Sequence, residues 1–485
     1  MGLVGILLGL ATLIFFAFRG SSILILAPIA ALIAAAFSGQ PLLASWTQIF
    51  MTNAATFIAQ FLPLFLLGAL FGKLMEDSGS VTAIANYMTA KLGTKRATLA
   101  VVLAGAIVTY GGVSLFVAFF VLAPMGMALF RQAGVPRRLM PAAIALGTTT
   151  FTMSAMPGSP SINNAIPMPF FGTTPFAAPG LGLIASAIML GFGMWWLQRR
   201  EAQARRAGEG FGSVIDDGAA ERAASDPIVR ERASTSAAFD PSEIDTSESS
   251  AKNPPIALAA LPIVVVITVN LLMSFVVLPR MNTAFLAEPM WGATQLSAVG
   301  GVWSVIVALF AAIITAIAIN FRSVPVLRAT MTAGANASVL PIVSVASLVG
   351  FGAVVASLPA FDAVRAFVLG IQGGPLVSLA VATNILAALT GSASGGLTIA
   401  LEALGPTYMH LAGEIGLNPE LMHRVAVIGS GTLDSLPHNG AVVTLLSVCG
   451  VTHKEGYFDI VMAAIVGALV ALVAVIVLGS AIGSF

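Results

Sequence analysis

The sequence has few charged residues and a single cysteine. Charged residues make up 9% of the 485 and hydrophobic residues 58%, whereas an ordinary soluble domain carries about 25% charged residues. Such a chain cannot cover itself with a polar surface. The one cysteine, Cys449, excludes an intramolecular disulfide and a cysteine-rich metal cluster. The net charge of +1 argues against a nucleic-acid partner.

Motifs for enzyme chemistry are also lacking. No His-Glu-x-x-His occurs, and the segment 68–74 has neither the spacing nor the Ser/Thr of a phosphate loop. The segment 391–395 reads Gly-Ser-Ala-Ser-Gly and places alanine where a Gly-x-Ser-x-Gly nucleophile would stand. The sequence therefore predicts a protein that is not an enzyme and that needs no cofactor.

Long apolar runs recur along the chain. Each is long enough to cross about 30 Å of hydrocarbon, and the runs are continuous, which favours helices over the alternating segments of a barrel. No basic region precedes the first run, so we interpret it as a permanent helix and not as a cleaved signal. The sequence thus predicts an all-α polytopic membrane protein. The predicted spans are 2–18, 22–38, 54–74, 140–171 with an interruption, 180–198, 256–278, 298–320, 334–356, 423–450 and 459–482.

One polar segment divides the apolar sequence. Residues 199–252 hold 8 basic and 11 acidic residues and almost no large apolar ones, a composition typical of disordered connections. The basic residues at its start place it in the cytoplasm. We therefore predict a first transmembrane repeat at 1–198, a cytoplasmic disordered linker at 199–254, and a second transmembrane repeat at 255–485.

The two apolar halves match each other in sequence. A nearly constant offset of about 280 pairs glycines, prolines and Leu-Met dipeptides over some 110 residues, which predicts an internal repeat. The loop around Gly134 is basic, whereas the matching loop around Gly416 carries acidic residues. Because Lys-rich and Arg-rich short loops stay in the cytoplasm, the repeats are predicted to have inverted topology, with both termini extracytoplasmic. The pairs at the offset of 282 are Gly134 and Gly416, Leu139 and Leu421, Met140 and Met422, and Gly147 and Gly429.

Each half also contains an apolar segment with a polar break. Residues 97–130 break at 109–114, and residues 375–411 break at 390–396. Limbs of 12 to 16 residues reach only about 18 to 24 Å, which puts the break inside the bilayer. Each repeat is therefore predicted to have about five spanning helices plus a re-entrant hairpin and a broken helix.

Four polar breaks are the candidate site: 109–114, 156–164, 390–396 and 434–440. Half-helix N-termini there can face a carboxylate, and unwound carbonyls or hydroxyls can ligate Na⁺. The alternative is that small residues only let helices pack closely. Asn163 and Asn164 could donate to substrate or cap the second half of the broken helix. The candidate substrate-binding residues are Thr109, Gly111, Gly112, Ser114, Ser159, Asn163, Asn164, Gly391, Ser392, Ser394, Gly395, His438 and Asn439.

Three ionisable residues are candidates for coupling to an ion gradient. Asp434 and His438 flank Pro437 at membrane depth, where ionisable groups are costly enough to suggest a function. The alternative is that this pair only braces the broken helix. Glu402 lies on the second limb of the second hairpin, where a snorkelling or interhelical role is the alternative to carrying a proton.

At these breaks the sequence resembles the gluconate permease (GntP) family of the ion transporter superfamily. The resemblance rests on Thr390-Gly-Ser-Ala-Ser-Gly-Gly396, on Gly431-Thr-Leu-Asp-Ser-Leu-Pro-His-Asn-Gly-Ala441 and on the duplicated hairpin plan. It implies an H⁺ or Na⁺ symporter in the inner membrane, and a homodimer with a fixed scaffold and a moving transport domain. That transport domain would hold both hairpins and both broken helices, with the other spans in the scaffold.

The breaks contain no Arg or Lys, so helix ends, hydroxyls, amides and a protonated His438 are the groups left to neutralise an anion. These groups can neutralise one carboxylate, whereas each further buried charge needs a compensating group of its own. We therefore expect a small organic anion, best a short hydroxy-monocarboxylate such as 3-hydroxybutyrate, with gluconate or another sugar acid as the alternative. A carrier of di- or tricarboxylates is disfavoured. An anion channel is disfavoured too, because polar residues concentrate at mid-depth and form no continuous stripe.

Overall fold

The computed structural model describes residues 1–19, 21–212, 240, 253–320 and 327–485. Within these ranges the regular structure is helical, without β-strands. Seven of the described helices are long and apolar enough to cross a membrane, or eight if the bent pair Ser80–Leu92 and Thr94–Tyr110 is one span. A helix bonds every backbone group within its own segment, as hydrocarbon requires. The prediction of an all-α polytopic membrane protein is confirmed.

The first half begins with two short helices that pack on each other and ends with a long one. Ala97–Tyr110 and Leu115–Ala133 form the first hairpin. The four helices from Met140 to Phe171 form the first broken helix. The helices of this half are Gly2–Phe18, Ile23–Phe37, Leu42–Asp77, Ser80–Leu92, Ala97–Tyr110, Leu115–Ala133, Met140–Thr148, Phe151–Ser154, Ile162–Ala165, Pro167–Phe171 and Pro179–Arg206.

The second half repeats this order of elements. Pro375–Thr390 and Ala393–Ile415 form the second hairpin, and Pro419–Thr432 with Gly440–Val448 form the second broken helix. The inversion of the halves across the membrane and the extracytoplasmic termini stay predictions. The helices of this half are Ile256–Arg280, Leu296–Asn320, Leu327–Ser357, Phe361–Leu369, Pro375–Thr390, Ala393–Ile415, Pro419–Thr432, Gly440–Val448 and His453–Ile482.

Some predicted bounds differ from the structure. The helix predicted at 54–74 begins at Leu42, because its polar side chains bond within the helix: Thr47 Oγ1 donates to the Leu43 carbonyl and Asn53 Nδ2 to the Ile49 carbonyl. A short helix before each hairpin was not predicted. Of the predicted linker, residues 213–239 and 241–252 lie outside the described residues, and its start continues the helix Pro179–Arg206.

In each half, the first limb of the hairpin packs along the first part of the broken helix. A glycine makes this contact in both halves. A Cβ on Gly147 would strike the backbone carbonyl of Val102, and a Cβ on Gly429 would strike the Thr383 hydroxyl. Glycine is therefore needed where these backbones meet.

The last helices of the two halves, Pro179–Arg206 and His453–Ile482, pack on each other and on the broken helices. The resemblance placed these spans in the scaffold, and the packing groups them with the broken helices instead. The third helices, Leu42–Asp77 and Leu327–Ser357, pack on each other, and each also packs on the second helix of the other half. This second group contacts the tips of the hairpins: Leu64 and Phe65 line the cavity at the first tip, and Leu348 lies against Gly395 at the second.

Candidate functional site

The predicted polar residues of the second half lie together. We call this group, residues 390–396 and 433–439, the second cluster. Asn439 Nδ2 donates to the Gly391 carbonyl at 2.8 Å and to Asp434 Oδ1 at 2.7 Å. His438 Nε2 donates to the Ala388 carbonyl at 3.1 Å. The break in the second broken helix is thereby held against the tip of the second hairpin.

Asp434 lies at the N-terminus of Ala393–Ile415, where it accepts a hydrogen bond from the Ala393 backbone N–H. The helix dipole favours a negative charge at this place. Ser392 caps the same helix, since its Oγ accepts from the Gly395 N–H at 3.1 Å. The chain's own carboxylate therefore occupies one of the helix ends that the sequence predicted for a substrate.

The remaining residues of the second cluster shape its backbone. Gly391 has a φ of +65°, and a Cβ there would lie 3.3 Å from the imidazole of His438. A Cβ on Gly395 would lie 2.5 Å from Leu348, so Gly395 has a packing role. Ser394 Oγ lies 3.2 Å from the hydroxyl of the capping serine, Ser392. Glu402 is nine residues along this helix, about 13 Å from its N-terminus, and lies outside the cluster.

The tip of the first hairpin contacts the first broken helix in the same way. We call residues 109–114 and 152–162 the first cluster. Thr109 Oγ1 donates to the Gly105 carbonyl at 2.8 Å and lies 3.3 Å from the Gly147 carbonyl. The Tyr110 hydroxyl donates to the Pro157 carbonyl at 2.8 Å. Hairpin and broken helix thus form one bonded unit in this half as well.

Two serines cap helices in the first cluster. Ser114 Oγ accepts from the Phe116 N–H at 3.3 Å, and Ser161 Oγ accepts from the Asn164 N–H at 3.4 Å. The idea that Asn163 or Asn164 caps the broken helix is therefore wrong, because Ser161 does so. Asn163 is buried, and its Oδ1 has no hydrogen-bond partner among the described residues.

A cavity opens at the first cluster, and the space in it that no atom occupies is about 600 Å³, counting its open mouth. The part of it that the centres of water-sized molecules can occupy is about 70 Å³, which suits only a small ligand. Three of the predicted substrate-binding residues line it: Thr109, Gly112 and Ser114. The apolar wall opposite comes from the helix Leu42–Asp77. The full lining is Leu64, Phe65, Gly68, Thr109, Gly112, Val113, Ser114, Leu115, Met153, Pro160, Ser161 and Ile162.

The other predicted residues of the first half lie behind this cavity. Gly111 faces Ile263, whose side chain a Cβ would meet at 2.7 Å. Asn164 Nδ2 donates to the Ser159 carbonyl at 2.9 Å and to the Pro175 carbonyl at 3.0 Å. Ser159 and Asn164 therefore shape the break from behind.

The comparisons with known proteins agree with this architecture. Residues 1–172 match the model of the GntP family permeases. The chain is 40% identical over 468 residues, 95% of either chain, to the "Uncharacterized transporter YxjC" of Bacillus subtilis (strain 168). The chain belongs to the GntP permease family. A stretch of 102 residues is 35% identical to the "High-affinity gluconate transporter" of Escherichia coli (strain K12), which covers 20% of this chain and 22% of that protein.

The sequence analysis missed two fully buried residues of this permease, His423 and Arg424. Both come from the second broken helix and bond to the first half. Arg424 donates to the Ala177 carbonyl through Nη2 at 2.6 Å and Nε at 3.1 Å. His423 Nδ1 lies 2.6 Å from the Thr173 hydroxyl. The sequence contained a signal for both residues, because an arginine and a histidine inside a predicted membrane span are costly unless they form hydrogen bonds.

A buried ion cluster was missed as well. Lys73 Nζ lies 3.1 Å from both Glu76 and Asp77, and Thr330 Oγ1 donates to Asp77 Oδ2 at 2.6 Å. The side chains of Lys73 and Asp77 are fully buried. The cluster therefore ties the two third helices of the GntP permease together, and its sequence signal was the i, i+3 and i, i+4 spacing of opposite charges.

A third charged group forms ion pairs between the first half and the last helix, His453–Ile482. Asp459, almost fully buried, accepts from Arg138 Nη1 at 3.1 Å and Arg200 Nε at 2.8 Å. Arg138 also bonds to Glu209 at 2.7 Å, and this hydrogen bond lowers the pKa of that carboxyl. Within the described ranges no three His, Cys, Asp or Glu side chains converge to hold a metal ion.

Proposed function

We propose that this GntP permease is a secondary active transporter that carries a small hydroxy-monocarboxylate together with H⁺ or Na⁺. The observation that carries the proposal is the cavity at the first cluster. Its wall includes Ser114 and Leu115, the N-cap and first residue of a 19-residue helix. The first backbone N–H groups of a helix have no intrahelical partner, and the helix dipole is positive there. A single carboxylate suits that end of the cavity.

A difference between the halves supports this position. In the second cluster Asp434 already lies at the corresponding helix end. Pro157 pairs with Pro437 at an offset of 280, which pairs Asp434 with Ser154. The first cluster thus has a neutral serine where the second has a carboxylate. We infer that the substrate carboxylate binds in the first cluster, whereas Asp434 serves coupling in the second.

The rest of the cavity favours a short chain with few hydroxyls. Its polar side chains are the hydroxyls of Thr109, Ser114 and Ser161, and most of the remaining wall is apolar. Each buried hydroxyl of a ligand needs a hydrogen-bond partner, which 3-hydroxybutyrate meets more easily than gluconate with its five hydroxyls. Gluconate is the second candidate because of the partial similarity to a gluconate transporter. Among the described residues, no Lys or Arg lines the cavity to meet a second carboxylate.

Uptake by the purified protein in liposomes tests the proposal, with pH and Na⁺ gradients imposed separately. We expect concentrative uptake of labelled 3-hydroxybutyrate with one of them, and competition by lactate or gluconate. Ser114→Ala and Ser161→Ala should raise the KM about tenfold, because each removes a hydroxyl from the cavity. The matched control is Ser186→Ala, which removes a buried serine bonded only within its own helix.

Strong inhibition by citrate or succinate, with none by the three monocarboxylates, would contradict the substrate class. Currents in a planar bilayer far above carrier turnover would mean a channel instead. By the same resemblance we expect a homodimer in the inner membrane, which crosslinking in native membranes checks.

A further inference from the structure

Asn164 lies at a contact between the two broken helices. Its Oδ1 lies 3.2 Å from His423 Nε2 and 3.4 Å from Arg424 Nη1. Asn164 comes from the first half, and the two bases come from the second. All three side chains are at least 99% buried. The sequence pattern does not predict this contact, because 259 residues separate Asn164 from His423.

The chemistry of the partners fixes which atom donates. Asn164 Nδ2 donates to the carbonyls of Ser159 and Pro175, so its Oδ1 must accept from the second half. His423 therefore donates from Nε2. Its Nδ1 is then free to accept the hydroxyl proton of Thr173, at 2.6 Å. A neutral imidazole satisfies both contacts. The side-chain amide of Asn164 then forms hydrogen bonds through both its nitrogen and its oxygen.

Through Asn164 these contacts reach the wall of the cavity. The Ser159 carbonyl, which Asn164 holds at 2.9 Å, directly precedes Pro160 and Ser161, and both of these line the cavity. The Asn164 N–H also bonds to the Ser161 hydroxyl. A shift of Asn164 would therefore move Ser161, which lines the cavity.

Arg424 holds the same Asn164 oxygen and also bonds to the Ala177 carbonyl. It is fully buried, and no carboxylate oxygen of the described residues lies within 4.0 Å of its guanidinium to form an ion pair with it. Its bonds go to the Ala177 carbonyl and to Asn164. A buried cation that depends on these oxygens holds them in place, because leaving it unbonded is costly.

We propose that His423 and Arg424 are positioning residues, by which the second half sets the shape of the cavity in the first half through Asn164. The pair contacts Asn164 behind the wall, and neither residue lines the cavity. The inference rests on the proposed function in one respect only, namely that the cavity binds the transported anion. The geometry of the wall can be tested without any ligand.

A cysteine reporter measures that geometry. Ser161→Cys is introduced in a Cys449→Ser background, where the native cysteine is fully buried, and its rate of reaction with a small methanethiosulfonate is recorded. We expect His423→Ala, Arg424→Gln and Asn164→Ala each to change this rate about tenfold, because each frees the wall. His423→Gln should restore a rate within about twofold of the parent, since glutamine can donate to Asn164 and accept from Thr173.

The matched control is Asn384→Ala. Asn384 is also a buried amide, but its Nδ2 donates only to Ala380 in its own helix, so the rate should not change. If a variant fails to fold, Thr173→Val replaces it, because it removes one bond to His423 and keeps the shape. In uptake assays with unmodified Ser161, the positioning variants should raise the KM about tenfold and leave Vmax within about twofold.

The outcomes separate the two proposals. Reporter rates and KM values equal to the parent in all folded variants would overturn the positioning role. Altered reporter rates in a protein that takes up no monocarboxylate would support the positioning role and overturn the proposed function. Equal losses in His423→Ala and His423→Gln would mean that the imidazole acts in some other way than by these two bonds, and would overturn the inference.

Discussion

Replacing Asp434 by asparagine tests whether the second cluster couples transport to an ion gradient. Asp434 accepts from the Ala393 N–H and from Asn439 Nδ2, and both partners are donors. Asparagine offers one acceptor oxygen in place of two and adds an NH₂ donor, which weakens the hydrogen bonding to these two donors. The change also removes the charge at the helix end. Asp434→Asn should therefore abolish gradient-driven accumulation while the protein stays folded.

The expected size of both effects follows from these contacts. A hydrogen bond to a charged group contributes about 1.5 to 3 kcal/mol, so losing one lowers the free energy of unfolding by about 2 kcal/mol. For symport of one substrate with one ion, a tenfold gradient of the ion supplies about 1.4 kcal/mol and supports about tenfold accumulation. The parent should approach that ratio, and Asp434→Asn should stay near a ratio of about 1.

The assay compares accumulation with exchange in the same liposomes. Exchange of labelled for unlabelled substrate at equal concentrations needs no driving gradient, so Asp434→Asn should retain it if binding in the first cluster is intact. Asp434→Glu, which keeps the charge, is the matched variant and should recover part of the accumulation. If purified Asp434→Asn concentrated substrate as the parent does, Asp434 would have a structural role only and the reasoning would fail.

Two further predictions concern topology and packing. Cysteines at Arg137 and Glu420, in the matched loops of the two halves, should react with impermeant thiol reagents from the cytoplasmic and the opposite side respectively; labelling of both from one side would refute the inverted repeat. Gly147→Ala should lower the yield of folded protein in size-exclusion chromatography and lower stability by about 1 to 3 kcal/mol, because the added methyl strikes the Val102 carbonyl. Gly191→Ala is the control, since a Cβ there meets nothing within 4 Å in the described part of the chain, and equal stability of the two variants would contradict the packing argument.

The sequence predicted the breaks well because their causes are local. The first hairpin breaks between Tyr110 and Leu115, inside the predicted segment 109–114. Gly112 has a φ of +95°, a conformation that favours glycine, and Ser114 caps the next helix. Glycines, prolines and capping residues act within a few positions of themselves, so a single sequence reveals them.

The contacts between distant segments could not be predicted in this way. Arg424 is the second residue of the predicted span 423–450, and nothing in the sequence indicates that it is fully buried against Ala177, 247 residues away. Ser161 was passed over in favour of Asn163 and Asn164, because the pattern did not show which residue begins the helix. Which side of a helix faces a cavity depends on the packing of other helices, and hydrophobic periodicity says little where every face is apolar.

The two halves share one order of elements and differ in their polar chemistry, and this difference supports our proposal that an anion binds in the first half only. Two equivalent sites would each need an uncompensated helix end. In the second cluster the helix end is already compensated, because Asp434 accepts a hydrogen bond from the Ala393 N–H. The first cluster has Ser154 at the paired position and an open cavity beside Ser114. When Asp434 is ionised, a second carboxylate beside it would meet a like charge at short range, which is costly in a medium of low polarity. One anion per chain, bound in the first half, is therefore the stoichiometry that this asymmetry favours.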